Sequence, residues 1–198
     1  MPAHPEQPAG PAPLRAVPVR NFADAFTRRL LGHRGMTTDL LEQHLGRPLR
    51  VRVRAQTLAP RAAGGHRPPR PAPPFLVRRT ELVTPEGTVV SRNTVTGPLP
   101  DDDELAAAVT SRTTPLGRAV AASGTPHRRT PRTAGLSGWP VAHGTLPAVA
   151  RSYLLHLDGA LPLHVEETFN PAVVSPGQRP GPSGPVAAAG RRPAVAAS

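Results

Sequence analysis

The apolar residues of this chain fall into short runs whose spacing changes from helical to alternating and back. Phe22, Phe26 and Leu30 are four apart, the one-face spacing of an α-helix, which predicts a helix over 22–31 with Asn21 as its cap and Gly32 as its stop. A second short helix is predicted from Thr38-Asp39, where Asp39 and Glu42 have the capping-box spacing and Leu40, Leu41, His44 and Leu45 supply the apolar face before Gly46. The loop between them, 32–37, exposes backbone N–H groups. Over 49–55 arginine alternates with small apolar residues, the pattern of a strand with one face in a core and an arginine face toward water. Two more strands are predicted over 75–83 and 88–96, joined by the turn Thr84-Pro85-Glu86-Gly87. A helix over 101–110 carries acids in its first turn, where they suit the helix dipole, and another starts near Thr114-Pro115. A final hairpin, 151–157 and 161–169, turns at Asp158-Gly159, and Asn170-Pro171 closes the domain. The Gly/Pro-rich stretch 123–148 yields no clear element. Strands joined by hairpins, with helices in separate runs, predict a single α+β domain: a mainly antiparallel β-sheet with peripheral helices.

Composition sets the limits of that domain. Of 28 prolines in 198 residues, six fall in each of 1–20, 57–74 and 171–198. The expected organisation is therefore a disordered leader over 1–20, a domain over 21–172 with a mobile Pro-rich loop at 57–74, and a disordered Pro-rich tail over 173–198. No apolar run approaches the length of a membrane span. Met1–Pro5 lacks the charged-then-apolar layout of a secretory signal, so a cytoplasmic chain is expected. The chain has no cysteine, which excludes disulfides, thiolate metal sites and a cysteine nucleophile.

The net charge of +11 would point to nucleic acid, but all 24 basic residues are arginine and only six residues are aromatic. Such completeness reflects base composition more than selection for phosphate contacts, and six aromatics are too few for a base-stacking platform; no nucleic-acid partner is expected. The eight histidines show no metal-ligand spacing, and no metal or other cofactor is expected. A monomer is the expected state.

Two charges stand out because alternation puts them among apolar residues. Glu167 shares a strand face with Leu161, Leu163, Val165 and Phe169; a carboxylate there needs a partner such as an arginine, or serves as a general acid/base in an enclosed pocket. Arg79 shares a face with Phe75, Val77, Glu81 and Val83, while Arg78 falls opposite with Leu76 and Leu82. A guanidinium on a half-buried face either forks a ligand carboxylate or pairs with Glu81 or Glu167.

The order of four pieces carries a resemblance. Met36-Thr37-Thr38 opens a short helix, an arginine precedes an acidic-Gly turn, and then come Thr114-Pro115-Leu116-Gly117-Arg118 and Val165-Glu166-Glu167-Thr168-Phe169-Asn170-Pro171. Over roughly residues 26–172 this resembles the chorismate–pyruvate lyase (4-hydroxybenzoate synthase) family, whose fold is shared with effector-binding domains of GntR-type regulators. The resemblance implies an antiparallel sheet with its ligand enclosed beneath flaps, and elimination of pyruvate from chorismate to 4-hydroxybenzoate without metal or cofactor. It implies that Arg79 binds the ring carboxylate, aided by backbone N–H groups at Met36 and Leu116, and that Glu167 meets the ring oxygen. Counting back from Glu86-Gly87 favours Arg79 over Arg78. The stretches 57–74 and 123–148 depart from the family pattern. The alternative function is a non-catalytic domain that binds or senses a hydroxybenzoate-like small acid; with only some 20 residues before the first helix, a stand-alone transcription factor is not expected.

Overall fold

The computed structural model describes residues 13–60 and 73–179. Its chain order is β1 (Arg15–Ala16), a 3-10 turn (Val19–Asn21), α1 (Ala25–Gly32), α2 (Thr37–Leu45), β2 (Arg50–Ala59), β3 (Phe75–Val83), β4 (Val89–Pro98), α3 (Asp103–Thr110), α4 (Leu116–Ala122), β5 (His127–Val141), β6 (Gly144–Leu157) and β7 (Leu163–Phe169). All seven strands form one antiparallel sheet in the order β1-β5-β6-β7-β4-β3-β2. The α+β class is as the patterning predicts. The helices cover one face, and their apolar stripes meet the sheet in two clusters. Around Phe22, Leu30, Leu41 and Phe169 the first closes α1 and α2 onto it, and around Leu76, Val109, Val120 and Leu163 the second closes α3 and α4. No helix among the described residues is long and apolar enough to cross a membrane.

Local chemistry fixes the boundaries. The cap of α1 is Asp24, whose carboxylate accepts from the Thr27 N–H at 2.6 Å; Phe22, expected inside the helix, lies before it and pairs with Gln178 instead. Gly46 stops α2 in the left-handed region, φ 66°, where glycine carries no Cβ penalty. Asp102 caps α3 through the Leu105 N–H at 2.8 Å.

Three expectations are corrected. Residues 13–20 of the expected leader hold β1 and part of the 3-10 turn, with Val17 buried. That edge pairing depends on Gly135, where a Cβ would stand 1.9 Å from the Arg15 carbonyl oxygen. Residues 173–179 of the expected tail pack back on the core: Val174 is fully buried, and the Arg179 N–H donates to Asn21 O at 2.8 Å. The expected loop at 57–74 begins later, since β2 continues through Ala59. The remainder of the three Pro-rich stretches, 1–12, 61–72 and 180–198, lies outside the described residues. The stretch 123–148 is mostly the long β5–β6 hairpin, whose prolines and glycines mask the alternation that would mark a strand.

The arginine face of β2 lies on the side of the sheet away from the helices. Arg52 donates to Glu81 at 2.9 Å and Arg92 approaches the other carboxylate oxygen at 3.4 Å, so Glu81 of β3 is held by its cross-strand neighbours.

Candidate functional site

Between the sheet and the N-terminal ends of α2 and α4 lies a narrow cleft, partly open to solvent, with about 500 Å³ of empty space when that solvent is counted. Met36, Leu116 and Glu167 line it together, three of the four residues singled out from the sequence. Met36 and Pro115 are the caps of α2 and α4, and neither helix start has a side-chain cap. First-turn N–H groups have no acceptor within their own helix, so both ends bring spare donors to the cavity rim.

The fourth, Arg79, does not join them, and its neighbour Arg78 takes that place in the lining. Arg79 is exposed on the outer face of β3, whereas Arg78 is 1% exposed and lines the cavity. Leu76, Arg78, Thr80 and Leu82 form the inward row. The turn cannot report this phase, because next to it Leu82 and Val83 are both buried and the β3–β4 register slips between them. Arg78 donates to Val109 O at 2.6 Å and also to Ser111 O, which ties it to the end of α3. Its Nε–H is buried without an acceptor, and no carboxylate among the described residues pairs with it. Burial, with a smaller contribution from Arg112, lowers its pKa to about 10, so the cation persists at neutral pH. A buried guanidinium without a counter-charge is a receptor for an anion.

Glu167 faces the cavity as alternation predicts, but with a partner. Arg151 Nε donates to it at 2.7 Å, Thr37 Oγ1 at 3.0 and 3.2 Å, and the Tyr153 hydroxyl at 3.3 Å. Arg151 also donates to Leu30 O, to His33 O at 2.9 Å and to Thr37 Oγ1 at 2.6 Å. One guanidinium thus joins the end of α1, the start of α2 and the floor of the site. Burial, reinforced by the Glu167 charge, raises the Tyr153 pKa well above the ordinary phenol value, which keeps it a donor.

The sheet register sets the span between the charges. Arg78 pairs with Val95 and Val95 with Val165, while Glu167 pairs with Asn93. Arg78 and Glu167 are thus two strands and two residues apart, an ideal Cα separation of about 12 Å. Val95, Val165 and Leu116 make the wall between them apolar, and the buried Asn93 Oδ1 near the Glu167 end has no partner. The cleft thus offers a cation at one end and a hydrogen-bond acceptor at the other.

Arg151, Tyr153, Thr37 and Arg129 were not singled out from the sequence. Arg151 had a legible signal: it and Glu167 are equidistant from Gly159, and the hairpin register pairs them. Arg129 lies in the stretch without clear pattern and had none. The arginine of the Thr-Pro-Leu-Gly-Arg run, Arg118, bonds Asp39 at 2.7 Å and Glu42 at 3.2 Å, fastening α4 to α2 beside the cavity. Among the described residues no group of three or more His, Asp or Glu is placed to hold a metal. Comparison of the sequence with protein-family models and with curated proteins finds no match.

Proposed function

We propose that this chain binds chorismate in the Arg78–Glu167 cavity and eliminates pyruvate from it to give 4-hydroxybenzoate, as expected of a chorismate–pyruvate lyase-like fold. The observation that carries the reading is Arg78, a buried cation without a counter-ion among the described residues, at one end of an apolar slot whose other end is a hydrogen-bonded carboxylate. Arg78 takes the ring carboxylate with the free donors at Met36 and Leu116, and Glu167 accepts from the ring hydroxyl. In the reaction the ring loses the hydrogen at the carbinol carbon, the C–O bond to the enolpyruvyl group breaks, and the enolpyruvyl methylene gains a proton. The ring becomes aromatic, which supplies the driving force; the protein holds the dianion in one pose, excludes water and stabilises charge on the departing group. No cofactor takes part in this scheme.

A non-catalytic small-acid binder is the second reading, and the Arg151–Glu167 pair favours it, because a carboxylate already neutralised by a guanidinium serves as an acceptor more readily than as a proton shuttle. One assay separates the two. Purified protein is mixed with chorismate, and 4-hydroxybenzoate and pyruvate are followed by chromatography beside Arg78→Gln and Glu167→Ala. The expected outcome is equimolar products from the wild type and a loss of about 100-fold or more in either variant, the scale of removing one charge-stabilising contact. Identical slow formation in all three, with tight 4-hydroxybenzoate binding by the wild type, establishes the binder instead.

A further inference from the structure

A second, roomier cavity, also partly open to solvent and with about 730 Å³ of empty space when that solvent is counted, adjoins the first and shares Arg129 and Tyr153 with it. Its wall is strongly basic. Besides Arg129 it includes His33, Arg34, Arg132 and Arg151, and of these only Arg151 has an acid partner among the described residues. Arg129 stands at the junction. Its Nη1 donates to Gly35 O at 2.8 Å and Arg34 O at 3.1 Å, which anchors the stem, while its Nε–H is buried without an acceptor. Gly117 allows the approach: a Cβ at that position would stand 2.9 Å from Arg129 Nη2. Burial first, and then the charges of Arg151, Arg129 and Arg29, hold His33 below its ordinary pKa. The groups facing the junction are thus the Arg34, Arg129, Arg132 and Arg151 guanidiniums, the His33 imidazole and the Tyr153 hydroxyl, with Glu167 behind them already bonded to Arg151 and Tyr153.

We infer that Arg129 and this basic cavity form a second carboxylate subsite, which takes the three-carbon acid of the substrate and receives it as the leaving product. The inference rests on the proposed lyase reading and deepens it: Arg78 recognises the ring acid and Arg129 the side-chain acid, so that the two products end in different chambers. A charge-assisted contact of this kind is worth tenfold or more in affinity.

The test is binding of sodium pyruvate and of 4-hydroxybenzoate to the full chain by ligand-observed NMR, singly and together. Wild type is compared with Arg129→Gln and with the Arg34→Glu/Arg132→Glu pair, whose exposed side chains carry none of the bonds described above. The expected result is that both ligands bind the wild type at once, that both variants weaken pyruvate about tenfold or more, and that in the Arg34→Glu/Arg132→Glu variant 4-hydroxybenzoate changes less than about twofold. The double variant keeps the test valid should Arg129→Gln unfold. Pyruvate that competes with 4-hydroxybenzoate, survives in both variants, or does not bind the wild type overturns the subsite. Loss of pyruvate in the variants with no 4-hydroxybenzoate binding by the wild type retains the subsite and removes the lyase reading.

Discussion

At the scale of single residues, the site is defined by which charges are paired and which are not. Glu81 and Glu167 are both buried and both satisfied by arginines, whereas Arg78 is buried and satisfied only by carbonyl oxygens. Its value lies in the fork as much as in the charge, since a guanidinium can hold two carbonyls and still present a donor. Arg78→Lys is therefore expected to keep the charge and lose the ligand. The thermal shift produced by saturating 4-hydroxybenzoate should vanish in Arg78→Lys as it does in Arg78→Gln, and a shift retained by the lysine variant would show that charge alone suffices. Glu167 could be placed from sequence because a single acid interrupts an apolar row of β7. Arg78 could not, because β3 carries apolar residues on both faces and two adjacent arginines leave the phase open by one residue.

At the scale of elements, two short helices close the site, and one side chain fastens them. Arg118 of α4 reaches Asp39 and Glu42 of α2. Although burial opposes it, Arg118 together with the Leu49 N–H holds the Glu42 carboxyl below its ordinary value of 4.5. The folded state thus prefers the ionised form, so its stabilisation is fully present above that value and is lost as pH falls through the lower folded pKa. Thermal melts of the wild type should decline on acidification below about pH 4.5, and Arg118→Ala should start lower and decline less steeply. At neutral pH the same variant should raise the off-rate of 4-hydroxybenzoate, seen by stopped flow, because the rim is no longer held. Most elements were legible in sequence: apolar spacing, turns and alternation give α1 to α4, β2, β3, β4, β7 and the 151–157 half of β6 within a few residues, although the caps of α1 and α2 are Asp24 and Met36 rather than Asn21 and an Asp39–Glu42 box. β5 and the first half of β6 were not, because Pro131, Pro140 and Pro147 and several glycines sit within their ladder and erase the two-residue period.

At the scale of the whole molecule, residues 13–20 and 173–179 on either side of the expected domain prove to belong to it. Phe22 pairs with Gln178, the Ala23 N–H donates to Gly177 O, and Thr27 Oγ1 donates to Ser175 O. Proline-rich composition hid this, since proline is compatible with extended packing as well as with disorder. Removing residues from Val173 onward deletes the fully buried Val174 and uncovers the fully buried Phe22, and should cost about 2–4 kcal/mol, lowering the melting temperature by several degrees. Unchanged melting would return the segment to the tail. The edges of the sheet carry a different consequence. Among the described residues one edge is β5, covered by β1 only at Gly135 and Leu136, and the other is the ten-residue β2, whose outer backbone groups are a template for another strand. Along it Arg50, Arg52 and Arg54 recur at every second position, so two copies meeting edge to edge would set guanidinium against guanidinium. The same alternation that marks β2 as a strand in the sequence thus guards the sheet against growing into a fibre.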